Sequence, residues 1–197
     1  MTRSEPVLLY FDYVDPASFL LERRIRAMGD PHAPLPTLTP LEVRPPPLPL
    51  LDPLGGPWGE RWKAMRGEAE ARGVELRRPP IVPWTRKAHE LAFHARERGV
   101  FREVHEALFR AFLQEGRDIG RVDVLADLAV EVGLDRTETK AVLDVDRYAD
   151  RVLARRKEAE EARVTLVPTL VRRDQVLEGY PEEEILRTFL TRSHEPD

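Results

Sequence analysis

Two polar residues, Asp15 and Ser18, stand where a buried strand runs into a helix near the start of the chain. An apolar, aromatic-rich run over residues 7–13 predicts the strand. Asp15 is a preferred N-cap residue and Pro16 a preferred first helical residue, so the pair predicts a helix start. Because the positive end of a helix can hold an anion or a reactive group, we regard Asp15, Pro16 and Ser18 as the first candidate site.

These residues have two interpretations. In the first, Asp15 caps the helix and Ser18 returns a hydrogen bond, so no ligand is needed to explain them. In the second, Ser18 or the backbone N–H groups of the first turn contact a ligand. The sequence around Ser18 contains no Gly-x-Ser-x-Gly pattern and places no histidine nearby, which argues against a hydrolase nucleophile.

The elements that must position this site follow in the order βαβ, a helical block, then ββα. Predicted strands cover residues 7–13, 38–43, 165–171 and 175–178, and predicted helices cover 16–28, 58–72, 85–98, 101–114, 121–132, 136–143, 146–163 and 182–191. Gly29, Asp30 and Pro31 are expected to end the first helix. The first βαβ unit should be parallel.

A proline-rich connection, residues 44–57, joins the second strand to the helical block. Six prolines make it extended and stiff rather than helical. It is either a surface crossing or a flap over a site. The sequence itself does not choose between the two.

A second candidate site is the sequence Val167-Pro168-Thr169, a proline inside an otherwise aliphatic strand. Such a proline interrupts the hydrogen-bond ladder and can adopt a cis bond at modest cost.

The chain resembles the DsbA-like branch of the thioredoxin superfamily, in which a Tyr-Phe-Asp-Phe/Tyr-Val strand precedes Cys-Pro-x-Cys and a helix. Here Asp15-Pro16-Ala17-Ser18 occupies those four positions, and Val167-Pro168 resembles the family's cis-proline loop, which faces the motif. This resemblance, together with the proline inside an aliphatic strand, predicts that the Val167–Pro168 bond is cis. Residues 77–83 and 89–112 look most like the FrnE-type subgroup. The resemblance implies an α/β thioredoxin fold, with residues 1–57 and 156–197 as the thioredoxin-like domain and 58–155 as an inserted helical domain.

The family's activity is thiol–disulfide exchange, but this sequence contains no cysteine. Our first hypothesis is therefore a redox-inactive protein that binds a peptide or small molecule between Asp15, Pro16, Ser18, Val167 and Pro168. The alternative is a glutathione-dependent enzyme like 2-hydroxychromene-2-carboxylate isomerase or the kappa-class glutathione transferases. Those relatives have serine at the first motif position, where a carboxylate such as Asp15 would repel a glutathione thiolate. A purely structural or regulatory role is a third hypothesis.

Composition limits the remaining possibilities. A net charge of -4 gives no reason to expect nucleic acid, and no long apolar run predicts a membrane span or a signal segment, so we expect a cytoplasmic protein. We expect no metal site, because His89 and His94 are five residues apart, whereas the zinc motif of metalloproteases needs a spacing of four residues between its histidines. Glutathione is left open as a cofactor, as is a homodimer. We expect His89, His94 and His105 on a helix surface or interface, and Trp58, Trp62 and Trp84 as core or lid anchors rather than nucleotide stackers.

Overall fold

The computed structural model describes residues 6–29 and 35–191. The strands are β1 (Leu8–Phe11), β2 (Thr37–Pro40), β3 (Thr169–Arg172) and β4 (Gln175–Glu178). The helices are α1 (Pro16–Met28), α2 (Gly56–Ala71), α3 (Arg86–Glu97), α4 (Phe101–Leu113), α5 (Val122–Glu131), α6 (Arg136–Asp144), α7 (Ala149–Glu161) and α8 (Glu183–Thr191). Within these described ranges, no helix combines the length and apolar character needed to cross a membrane.

The four strands form one mixed sheet in the order β2-β1-β3-β4. β1 pairs with β2 in parallel and with β3 in antiparallel orientation, and β4 completes an antiparallel hairpin. Six helices, α2 to α7, lie in the chain between β2 and β3. This arrangement is the predicted thioredoxin fold with a helical insertion.

Successive residues of β1 pack into different clusters because side chains alternate across a strand. Leu9 packs with Leu21 of α1 and Leu186 of α8, whereas Tyr10 packs with Ala159 of α7. Phe11, at the end of the strand, belongs to the largest cluster, which it shares with the inserted helices. The hydrophobic core is therefore continuous from the sheet into the insertion, and the proposed domain boundaries stay a prediction.

The predicted boundaries are correct for α1, whereas those of β3 and α7 differ for local reasons. α1 has the predicted bounds, and Gly29 ends it in the left-handed region with φ of 55°. Asp30 and Pro31, also predicted to end α1, lie outside the described residues, as does the segment 1–5. β3 begins only at Thr169, after Pro168, which has no N–H to donate to the ladder. α7 begins at Ala149 rather than at residue 146, because Asp146 has a positive φ of 54° and belongs to the turn before the helix.

Candidate functional site

Asp15 caps α1 as the sequence predicts. Its backbone is extended, with φ of -100° and ψ of 112°, and its Oδ2 accepts the Ser18 N–H at 2.7 Å. The Ser18 hydroxyl donates to the same oxygen at 2.6 Å. Ser18 is completely buried, so its hydroxyl belongs to the cap and not to a surface open to a ligand.

Arg61 of α2 joins the two candidate sites, and the sequence analysis did not identify it. Its Nε donates to Asp15 Oδ1 at 2.5 Å, and its Nη2 donates to the carbonyl oxygen of Val167. The Arg61 side chain is 33% exposed, so part of it faces solvent. An arginine in a charged helix carries no local signal that could have revealed this bridge.

The Val167–Pro168 peptide bond, for which the sequence predicts a cis conformation, is cis. The Pro168 carbonyl accepts the Gly179 N–H at 2.8 Å, which ties this loop to the end of β4. Arg61 thus links the loop to the start of α1, and we refer to the region between these two segments and α2 as the candidate cleft. The structure thus brings Asp15, Val167 and Pro168 together, whereas Ser18 lies behind them as part of the cap.

Burial raises the pKa of Asp15, while the Arg61 charge and the hydrogen bonds from Ser18 and Arg61 oppose that rise. The net direction is upward, so ionisation of Asp15 is harder in the folded protein than in water. When Asp15 is ionised, Arg61 neutralises it at hydrogen-bond distance. The charge of the Asp15 carboxylate is therefore compensated beside the Val167–Pro168 loop.

Two tryptophans attach α2 to this end of the sheet. Trp58 donates its indole N–H to the Val14 carbonyl at 2.9 Å and stacks on Trp62, with ring centroids 5.2 Å apart. Both are buried, as expected of core anchors. Their packing places Arg61, which lies between them on α2, over Asp15.

Trp84 anchors the proline-rich connection instead. Its indole N–H donates to the Leu48 carbonyl at 2.9 Å, and 39% of the residue is exposed. Beneath the connection lies a cavity of about 10 Å³ lined in part by Asp12, Val14 and Thr85. That volume is close to the space of one water molecule, and most of the lining is apolar. The connection therefore crosses the surface and also covers a small, mostly apolar cavity.

The three histidines of α3 and α4 are buried, so the expectation of a helix surface is wrong and that of an interface is correct. The His94 ring lies 6.2 Å from that of Tyr148, at the start of α7. His89 Nε2 lies 3.2 Å from Asp12 Oδ1, and His105 Nδ1 lies 3.2 Å from the Tyr13 hydroxyl. Both contacts join the end of β1 to an inserted helix. The hydrophobic periodicity of the helices could not predict these contacts, because the polar partners of His89 and His105 lie far away in the sequence.

A sequence profile of the DSBA-like thioredoxin domain matches residues 6–191, nearly the whole chain. The protein belongs to this family. Its sequence is 36% identical over 157 residues to the uncharacterized protein YwbO of Bacillus subtilis, covering 77% of this chain and 78% of that relative. The expected family relationship is thus confirmed.

Two solved structures share the fold. A probable DsbA oxidoreductase from Streptomyces coelicolor is 24% identical, with a TM-score of 0.84 over 98% of this chain and 93% of that chain. A 2-hydroxychromene-2-carboxylate isomerase is 18% identical, with a TM-score of 0.73 over 93% of each chain. At these identities the likenesses establish the fold and leave the activity to be argued from the cleft.

We expect Asp15→Ala to reduce the free energy of unfolding by about 1–2 kcal/mol, because the cap is lost. Asp15→Asn keeps an acceptor for Ser18 but turns an amide N–H₂ towards Arg61, so we expect a loss of about 0.5 kcal/mol. Urea unfolding at pH 7 measures both. Equal stability of the wild type and Asp15→Ala would contradict the capping role.

The difference in stability between the wild type and Asp15→Asn should depend on pH. The folded-state pKa of Asp15 is raised by burial, so proton binding stabilises the folded state at low pH, and this contribution is lost as the pH rises through the folded pKa. The wild type should therefore lose stability relative to Asp15→Asn as the pH increases from acid to neutral.

Proposed function

We propose that this protein is a redox-inactive member of the DsbA-like family that binds a ligand in the cleft between Asp15, the Val167–Pro168 loop and α2. The observation that carries the proposal is the Arg61 bridge. Where the family has two thiols, this chain has a buried cap, and an arginine from the insertion connects that cap to Val167. Thiol–disulfide exchange needs a thiolate, and the sequence offers none.

An extended peptide segment suits this cleft better than a compact small molecule. Within residues 6–29 and 35–191, the Val167 N–H makes no hydrogen bond, although its carbonyl accepts from Arg61. An extended peptide can accept a hydrogen bond from this N–H through one of its own main-chain carbonyls. The partly exposed Arg61 side chain places a positive charge beside this part of the backbone.

A glutathione-dependent isomerase or transferase is the second candidate. Asp15 alone would repel a glutathione thiolate, but its ion pair with Arg61 removes most of that repulsion. The likeness in fold to 2-hydroxychromene-2-carboxylate isomerase supports the same candidate without establishing it. Membership of the FrnE-type subgroup and a cytoplasmic location stay part of the proposal.

We expect the purified protein to show no reduction of insulin and no dithiol oxidation, since it has no thiol. NMR titration with a set of unstructured decapeptides should shift the Arg61 Nε–H and Val167 N–H resonances. Arg61→Ala should weaken peptide binding about tenfold, the effect of losing one charge-assisted hydrogen bond.

The matched control is Arg66→Ala, which removes an exposed arginine of the same helix that pairs only with Glu70 in the described structure. It should leave the affinity unchanged. Redox turnover that survives purification would overturn the proposal. Saturable binding of glutathione but of no peptide would instead favour the isomerase or transferase candidate.

A further inference from the structure

A chain of buried polar side chains runs from the end of β1 to the surface of α1. The Tyr13 hydroxyl and His105 Nδ1 are 3.2 Å apart, and His105 Nε2 lies 2.6 Å from Glu22 Oε2. Tyr13 and His105 are almost completely buried, and Glu22 is only slightly exposed. If His105 donates from Nε2 to Glu22 and accepts from Tyr13 at Nδ1, both of its ring nitrogens are satisfied.

This chain connects three elements that are distant in the sequence. Tyr13 follows β1, Glu22 lies on α1, and His105 lies on α4 of the insertion. Around it the packing is aromatic: the His105 ring is 4.8 Å from Phe11 and 5.0 Å from Phe109, measured between centroids. In such apolar surroundings, a polar group that loses its partner costs more than a single hydrogen bond contributes when formed.

Charged groups on both helices determine the state of Glu22. Arg26 of α1 pairs with Glu22 and also with Glu106 of α4, at 2.5 Å from the latter. Burial acts to raise the pKa of Glu22, but the hydrogen bond from His105 and the charges of Arg26 and Arg102 lower it overall. The carboxylate form is therefore the one that this arrangement stabilises.

The inserted helix α2 also packs on α1, through Arg24 and Glu68. Arg24 is two residues beyond Glu22, about 200° around the helix, so this pair lies on the other side of α1. The groups that face Glu22 are thus those of α1, of α4 and of Tyr13.

We propose that the Tyr13–His105–Glu22 chain is an acid-sensitive latch that holds α4 of the insertion against β1 and α1. Protonation of Glu22 removes the negative acceptor at one end of the chain, and the contact between α4 and α1 loosens. The sheet, whose strands pair through backbone hydrogen bonds that do not involve Glu22, keeps its structure. This inference does not depend on the ligand cleft or on the proposed function.

The sign of the pH effect is fixed by linkage. A carboxyl whose folded pKa is lowered contributes stability above its unfolded pKa, here near 4.5, and that contribution is lost as the pH falls through the folded pKa. Acid should therefore release α4 before it unfolds the sheet.

Hydrogen exchange followed by mass spectrometry, corrected for the intrinsic pH dependence of exchange, tests the latch. In the wild type, protection of α4 should fall as the pH decreases below about 4.5, while β1 and β3 stay protected. Glu22→Gln should show α4 exchange about tenfold faster than the wild type at pH 7, with little further change in acid. Glu106→Gln is the matched control, because it removes an exposed carboxylate that pairs with the same Arg26, and it should behave like the wild type.

Two results would overturn the latch. One is α4 exchange in Glu22→Gln equal to that of the wild type at pH 7. The other is simultaneous loss of protection in α4, β1 and β3 when wild-type protein is acidified. The second result is measured without any variant, so the proposal stays testable even if Glu22→Gln does not fold.

Discussion

Replacing Asp15 and Ser18 together with cysteine is expected to turn this protein into an active dithiol oxidoreductase. Asp15 and Ser18 occupy the positions of the two cysteines in the Cys-Pro-x-Cys motif that this segment resembles, and their side chains are in contact, so we expect two thiols there to form a disulfide. The thiol at position 15 would stand at the N-terminus of α1 beside the Arg61 guanidinium. Both features lower the pKa of a thiol and favour the reactive thiolate.

The expected result is insulin reduction that rises from undetectable in the wild type to a clear turnover in the Asp15→Cys/Ser18→Cys variant. Adding Arg61→Ala should raise the pKa of the thiol at position 15, measured from the pH dependence of alkylation. Asp15→Cys alone, with a single thiol, should react with Ellman's reagent but form no internal disulfide. Two free thiols persisting in the double variant after treatment with glutathione disulfide would show that the local geometry is unsuited to the family chemistry.

The largest loss of stability is expected from Trp62→Ala. Trp62 is 1% exposed, belongs to the main hydrophobic cluster and stacks on Trp58. Removing a buried tryptophan side chain costs about 3–5 kcal/mol, a large fraction of the total stability of an average domain. Since the same packing holds Trp58 against the Val14 carbonyl, the start of α2 should detach from the cleft as well.

Trp84→Ala provides the matched control, because it removes the same side chain from a position that is 39% exposed. We expect a loss of about 1 kcal/mol there, from one hydrogen bond and partial burial. Urea unfolding followed by circular dichroism measures both variants without relying on tryptophan emission. Similar losses for the two variants would contradict the assignment of Trp62 as the anchor of α2.

Local features of the sequence determined the framework of this protein. The Asp15-Pro16 pair predicted the start of α1, which begins at Pro16, since a cap and its helix lie within a few residues of each other. The proline within an aliphatic strand, together with the family resemblance, predicted the cis bond at Pro168. The order of the elements, with the resemblance of the motif, was enough to predict the thioredoxin fold and the family.

The tertiary structure alone decided how the cleft is built. Arg61 is 46 residues from Asp15 and 106 from Val167 along the chain, so their contact depends on how α2 packs over α1. The burial of His89 and His105 likewise depends on Asp12 and Glu22, each of which lies more than 70 residues away. A charged or polar residue can lie on a solvated helix face or be buried with a hydrogen-bond partner. Only the packing of the helices supplies the partner that makes burial favourable.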